Sequence, residues 1–149
     1  RYCLPIWGGT SKGNLNRVLI LQKKAIRILA NLGPQDSCRN SFKSLNILTV
    51  VCIYILETTL LAYDQELVRG ADTHGYNTRN ALNYTLPAHR LKIFERQPSY
   101  SGAKFWNRLP EDIKKNTTRK KLKQNVTKWM LDHPFYTLEE FESGHYPET

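Results

Sequence analysis

"ILTVVCIYILETTLLAY", from Ile47 to Tyr63, is the one run in this sequence apolar enough to be weighed as a membrane span. It is seventeen residues long, with Glu57 inside and Thr58 and Thr59 beside it. A span needs roughly 20 apolar residues, so the reading is a buried helix. Thr49 is placed to cap it, which predicts a helix from Val50 to about Val68. Being apolar nearly all round, that helix is expected at the centre of the fold.

Working outward, "NLNRVLILQKKAIRILANLGP" after Gly13 reads as an earlier helix, with Asn14 as its cap and Gly33-Pro34 as its stop. Leu15, Val18, Leu19, Ala25, Ile26, Leu29 and Leu32 recur at steps of three and four, which predicts one apolar face. Arg17, Lys23, Lys24 and Arg27 fall largely elsewhere and read as a solvated face. Between the two helices, Asp36 or Ser37 can cap a short one that offers Phe42 and Leu45 to the same core. Together they predict a helical stack over residues 1–69 with short connections.

Composition shifts at "RGADTHGYNTRNALNYTLPAHR", where Gly70, Gly75, paired Asn and Thr, and Pro87 signal turns. Residues 70–149 are expected to form a basic helical lobe with an acidic C-terminal tail, within one compact domain. "TLPAHRLKIFERQP" has room for a short extended piece. Pro98 and Pro110 bracket a helix in which Ala103, Phe105, Trp106 and Leu109 gather on one half of the circumference. Lys104, Asn107, Arg108 and Ser101 share the other half with Tyr100. Pro110 followed by Glu111-Asp112 reads as the negative first turn of another helix. From Thr117 or Thr118 a further helix runs to His133, with Leu122, Val126, Trp129 and Met130 on its apolar face and Lys120, Lys121 and Lys128 opposite. Thr137 is placed to cap a last turn bearing Glu139 and Glu140. The expectation is a mainly α, small helical domain of about five or six helices.

The charge is segregated. The chain carries 22 Lys and Arg against 13 Asp and Glu, a net +9, and the segment from His89 to Lys128 holds 12 and 3 of them. All of the excess therefore belongs to that segment. Residues 132–149 carry five acids and no Lys or Arg. Such a basic segment points to an acidic partner, most often nucleic acid, held by neutralising backbone phosphates. The candidate contacts are Arg90, Lys92, Arg96, Tyr100, Lys104, Arg108, Lys114, Lys115, Lys120, Lys121 and Lys128. Phe105 and Trp106 could stack bases, but their helical face assigns them to the core and leaves Tyr100 as the aromatic free to stack.

Catalytic constellations are missing: no GxSxG, P-loop, GxGxxG or HExxH occurs, and no carboxylate pair has two-metal spacing. His89-Arg90 reads as structural rather than as a general base. Cys3, Cys38 and Cys52 are odd in number without CxxC spacing, and His74, His89, His133 and His145 are scattered. Reduced, partly buried thiols in an intracellular protein are expected, with neither a disulfide framework nor a zinc site. The sequons at Asn83, Asn116 and Asn125 would matter only in a secreted chain, and no signal peptide is seen. A first residue other than Met is expected of a fragment or excised domain.

Five stretches, taken in order, resemble the segment that follows the polymerase core in non-LTR (LINE-type) retrotransposons of the jockey and RTE-like kind. They are "YCLPIWGG" at Tyr2–Gly9, "LILQKKAIRILANLGPQDSCRNSFKSLNILTV" at Leu19–Val50, "HGYNTRN" at His74–Asn80, "SGAKFWNRLPEDIK" at Ser101–Lys114 and "FYTLEEF" at Phe135–Phe141. The resemblance implies a parent RNA-directed DNA polymerase acting by target-primed reverse transcription, with this chain at the end of its thumb and beyond. The paired aspartates that hold two magnesium ions in such a palm match no residue here, so no catalytic residue and no cofactor is carried over. Nor is the Cys/His knuckle of some relatives present. The partners implied are template RNA or target DNA and the rest of the reverse transcriptase polypeptide, with neither a membrane nor a small-molecule substrate, in the nucleus or cytoplasm. Two alternatives stand beside this reading. One is a structural brace on the polymerase thumb, which predicts unsatisfied apolar surface on the first or third helix. The other is a decayed or co-opted remnant that binds a protein.

Overall fold

The computed structural model of the protein describes residues 3–65, 69, 78–115 and 118–144. Tyr2, Gly70, Gly75, most of the 74–80 stretch, the Asn116 sequon and the expected extension of the central helix to Val68 lie outside them. Among the described residues the chain is mainly α-helical, with eight α-helices and no strand. The count exceeds the five or six expected, and Leu4–Thr10 is the helix that no helix signal in the sequence marked.

The central element is as expected. Helix α4, Val50–Asp64, follows α1 (Leu4–Thr10), α2 (Lys12–Leu29) and α3 (Arg39–Ser44). Thr49 caps it, its Oγ1 accepting the Cys52 N–H at 3.1 Å. The same hydroxyl donates to the Phe135 carbonyl at 2.6 Å, so the cap also anchors the C-terminal segment. Tyr54, Ile55, Leu56 and Leu60 of α4 are buried in one core with Leu15 and Leu19 of α2. No described helix is long and apolar enough to cross a membrane.

The second half of the chain joins this core. A 3-10 turn at Lys92–Arg96 precedes α5 (Pro98–Arg108), α6 (Glu111–Lys114), α7 (Arg119–Asp132) and α8 (Leu138–Ser143). The segment weighed for a short extended piece thus ends in a 3-10 turn, and the extended pairing seen is an isolated antiparallel bridge between Arg69 and Tyr84. Ala103, Phe105, Trp106 and Leu109 are buried, as their helical face predicts. Helix α5 crosses α4 so closely that a Cβ on Gly102 would stand 2.4 Å from the Thr58 carbonyl oxygen. Leu122, Val126 and Met130 of α7 face the same core, with Trp129 half-buried beside them. Each large apolar side chain so buried contributes roughly 1.5–3 kcal/mol. Thr118 caps α7 and Thr137 caps α8.

Three helix boundaries differ from expectation; α3 begins after Cys38, with no side-chain cap from Asp36 or Ser37. Ser11, not Asn14, caps α2, because α1 ends just before it and leaves Ser11 extended with its hydroxyl on the Gly13 N–H at 3.1 Å. Helix α2 is closed by Asn31 rather than by Gly33. Asn31 has φ 53°, and the Leu32 N–H donates to the Arg27 carbonyl at 2.8 Å in a Schellman closure. Asn46, with φ 54°, closes α3 the same way through Ile47 N–H on the Phe42 carbonyl at 2.9 Å. Asn tolerates the left-handed conformation through local hydrogen bonding, so it can replace Gly there.

The apolar face of α2 also differs. Leu15, Leu19 and Ile26 are buried, whereas Val18 and Leu29 are exposed. The polar Gln22 lies on the inward side, where it donates to the Leu48 carbonyl and accepts the Val50 N–H, both at 2.8 Å. It thereby ties α2 to the unsatisfied first turn of α4. Phe42 of α3 is fully buried, but Leu45 is exposed. Arg39 is buried too, its guanidinium holding both carboxylate oxygens of Glu140 at 3.0 and 3.1 Å and the Pro134 carbonyl at 3.0 Å. Cys38 and Cys52 are buried free thiols and Cys3 is exposed. Burial pushes the Cys52 thiol up to about 11, which keeps it protonated and unreactive at neutral pH.

Candidate nucleic-acid interface

The basic residues between Arg90 and Lys128 divide by environment. Lys114 points inward rather than to solvent. Its ammonium donates to Asn83 Oδ1 at 2.8 Å and to the Asn107 carbonyl at 3.0 Å, and burial holds its pKa below the usual lysine value. It pins the loop before Tyr84 onto α5 and is withdrawn from any phosphate. Its place four residues after Pro110, on a one-turn helix too short for periodicity to read, gave no sign of this.

Tyr100 is likewise engaged. It is half-buried, with its ring 5.0 Å from His89 and 5.7 Å from Phe94, both edge-on, while His89 stacks on Phe94 at 5.5 Å. The His89 imidazole also meets Glu95 at 2.9 Å, which raises the histidine pKa and lowers that of the carboxyl. The ring expected to stack bases is thus one wall of an aromatic cluster that orders the approach to α5.

Lys92, Arg96, Tyr100 and Lys104 do come together. With Ser11 and Lys12 they line a cleft of about 380 Å³ where the 3-10 turn and α5 meet the start of the chain and α8. Lys12 was not among the expected contacts, since it is far away in sequence. Gly9 shapes the same corner: a Cβ there would stand 3.0 Å from the Arg96 carbonyl. Yet the cleft compensates itself. Lys104 pairs with Glu142 at 2.8 Å, Lys12 pairs with Glu139, and Glu95 is a further wall. An anion entering would have to compete with carboxylates already seated.

Helix α7 is different. Arg119, Lys120 and Lys121 fill its first turn, which contains no acid. The N-terminus of a helix carries partial positive charge, so cations there cost roughly 0.3–1 kcal/mol each and anions are favoured. Arg119 is offset by Asp64, to which its Nε donates at 2.8 Å. Lys120 and Lys121 are exposed, and so is Lys128, two turns on and on the same outward face as Lys121. Arg90, Arg108 and Lys115 are also exposed, each on a separate stretch of chain. The burial of Leu122, Val126 and Met130 fixes which side of α7 faces water, so the lysines are held outward by the core rather than by one another.

Compared with protein-family models, with curated proteins and with solved structures, the chain matches none.

Proposed function

We propose that this chain is a sequence-independent nucleic-acid-binding segment with the outer face of α7 as its grip. In this reading it follows the polymerase core in the reverse transcriptase of a non-LTR retrotransposon, within the nucleus or cytoplasm. Its family placement rests on the five stretches that resemble such proteins. Catalysis and its magnesium ions would belong to the palm of the parent polymerase, while this chain would hold template RNA or target DNA as it passes. The observation that carries the binding reading is the pair Lys120 and Lys121, exposed at the positive end of a helix and without an ion pair among the described residues. Their charge opposes the helix dipole, and a phosphate would relieve both lysines and the dipole.

Filter binding of the full chain to RNA and duplex DNA across salt concentrations tests this. Three or four phosphate contacts should give a slope of log affinity on log salt of about −2 to −4, and Lys120→Glu with Lys121→Glu should flatten it by roughly one to two units. Affinity that hardly responds to salt, or to the double substitution, would remove the proposal.

A second reading, a structural brace within a larger polypeptide, is favoured by a separate observation. Leu21 and Ile28 of α2 are 65% and 76% exposed.

A further inference from the structure

We infer that the outer face of α2 docks an amphipathic helix of a protein partner, one that is apolar along a seam and acidic along the flank beside it. The inference rests on the brace reading and names the chemistry of what is braced. Helix α2 carries two apolar stripes. Leu15, Leu19 and Ile26 point into the core, while Val18, Leu21, Ala25 and Ile28 are exposed. The exposed set advances by three, four and three residues, the alternation that seats one helix on another. It spans eleven residues, ten steps along the helix or about 15 Å.

The seam is continuous with a depression. Val18 and Leu21 also line a groove of about 470 Å³ with Leu4, Trp7, Val50 and Ile53. One edge of a bound helix would therefore lie against apolar side chains of α1 and α4. The other edge would lie along Arg17 and Lys24, seven residues apart and exposed beside Leu21 and Ile28. Helix α2 contains five cations and no acid. Three of the cations are engaged: Lys12 with Glu139, Lys23 over the Tyr136 ring, and Arg27 on the Asp36 carbonyl. Arg17 and Lys24 have no ion pair among the described residues.

This charge pattern selects the occupant. A second copy of the chain would bring Arg17 and Lys24 against themselves, and like charges at flanking positions oppose pairing. A helix with Glu or Asp at those positions would satisfy both the seam and the flank.

Two synthetic peptides test the inference, each with Leu at alternating steps of three and four. One carries Glu and the other Lys at the positions flanking the seam. Titrated onto the full chain, the Glu peptide should bind saturably and more tightly. Leu21→Glu or Ile28→Glu should each weaken it about thirtyfold, as loss of a central contact does. Both side chains are exposed, so the thermal melts of these variants should match the parent. Arg17→Glu with Lys24→Glu should reverse the preference toward the Lys peptide. Equal binding of the two peptides, or a preference that survives the charge reversal, would overturn the inference. So would a concentration-dependent dimer in sedimentation that Leu21→Glu abolishes, because the face would then belong to a second copy. The Lys120→Glu, Lys121→Glu variant should bind the Glu peptide normally, so failure here and failure of nucleic-acid binding read out separately.

Discussion

Asn107 holds Tyr84 by both backbone groups at once: its Oδ1 accepts the Tyr84 N–H at 2.8 Å and its Nδ2 donates to the Tyr84 carbonyl at 3.0 Å. A side-chain amide here does what a neighbouring strand would do for a residue at a sheet edge. Trp106 adds a third tie one residue earlier on α5, its Nε1–H donating to the Leu82 carbonyl at 2.8 Å. Together with Lys114 on Asn83, these bonds hang the loop at 82–84 on α5 and let Tyr84 pack 5.2 Å from the Trp106 ring.

Asn107→Asp should therefore destabilise the protein although it exchanges a single heavy atom. The carboxylate still accepts the Tyr84 N–H, but its second oxygen would face the Tyr84 carbonyl with no hydrogen between them. Leaving partly buried polar groups unpaired costs about 1–3 kcal/mol. Urea denaturation should show a lower midpoint for Asn107→Asp at neutral pH, partly restored as the carboxyl is protonated. An unchanged midpoint would mean that the loop is not held by this amide.

Trp106→Ala separates fold from grip. The ring is 0% exposed, and removing a buried Trp costs roughly 3–5 kcal/mol. Thermal stability should fall steeply, while nucleic-acid affinity measured well below the melt should hold. Lys120→Ala with Lys121→Ala should do the reverse, because neither side chain touches the core. A normal melt with lost binding in Trp106→Ala would return the aromatic pair to the role of a base-stacking platform.

What could be read from sequence followed periodicity and caps. Helix α4 was legible because its apolar run has no polar face to mislead. Thr49, Thr118 and Thr137 were legible because an extended hydroxyl residue before an amphipathic run has one obvious use. The inward face of α2 was not, because Gln22 sits on it and the apolar residues are numerous enough to make two stripes. Which stripe turns inward depends on α4 and the start of the chain. The candidate site was legible only in part, since charge alone does not tell Lys120, held outward, from Lys114, held in by Asn83 and Asn107. The Arg39–Glu140 pair is invisible to any local pattern, its members standing 101 positions apart.

Gly102→Ala sets two effects of opposite sign against each other. In the interior of α5, Ala is the better helix former by about 1 kcal/mol. A methyl group at that position would stand 2.4 Å from the Thr58 carbonyl oxygen and 2.7 Å from Ala62 Cβ. Both obstacles are rigid, a backbone atom and a Cβ, so α4 and α5 would have to separate around a filled core. Overpacking of this kind costs about 1–3 kcal/mol. A net loss of stability is expected, and Ala62→Gly in the same chain should not rescue it, because the Thr58 carbonyl remains. A melting temperature above that of the parent would show that the crossing can open.

The His89–Glu95 pair predicts a pH window for order at the entrance to α5. The histidine is raised above its ordinary 6.5, first by its hydrogen bond to Glu95 and then by the Pro87 carbonyl. Its contribution is complete below the unfolded value and is lost as pH rises through the folded one. Glu95 is lowered from 4.5, chiefly by the same hydrogen bond, so its contribution is present above that value and is lost as pH falls through the folded one. The pair's contribution is therefore complete between about 4.5 and 6.5, and the pair opens only as pH passes the folded midpoints beyond those values. Proton NMR of the imidazole should place the His89 midpoint above 6.5, and Glu95→Gln should lower it. Because His89 touches both Phe94 and Tyr100, the Tyr100 ring resonances should shift with the same midpoint. A His89 midpoint below 6.5 would show that the histidine gives up its proton to enter the cluster, and the pairing with Glu95 would then be absent in solution.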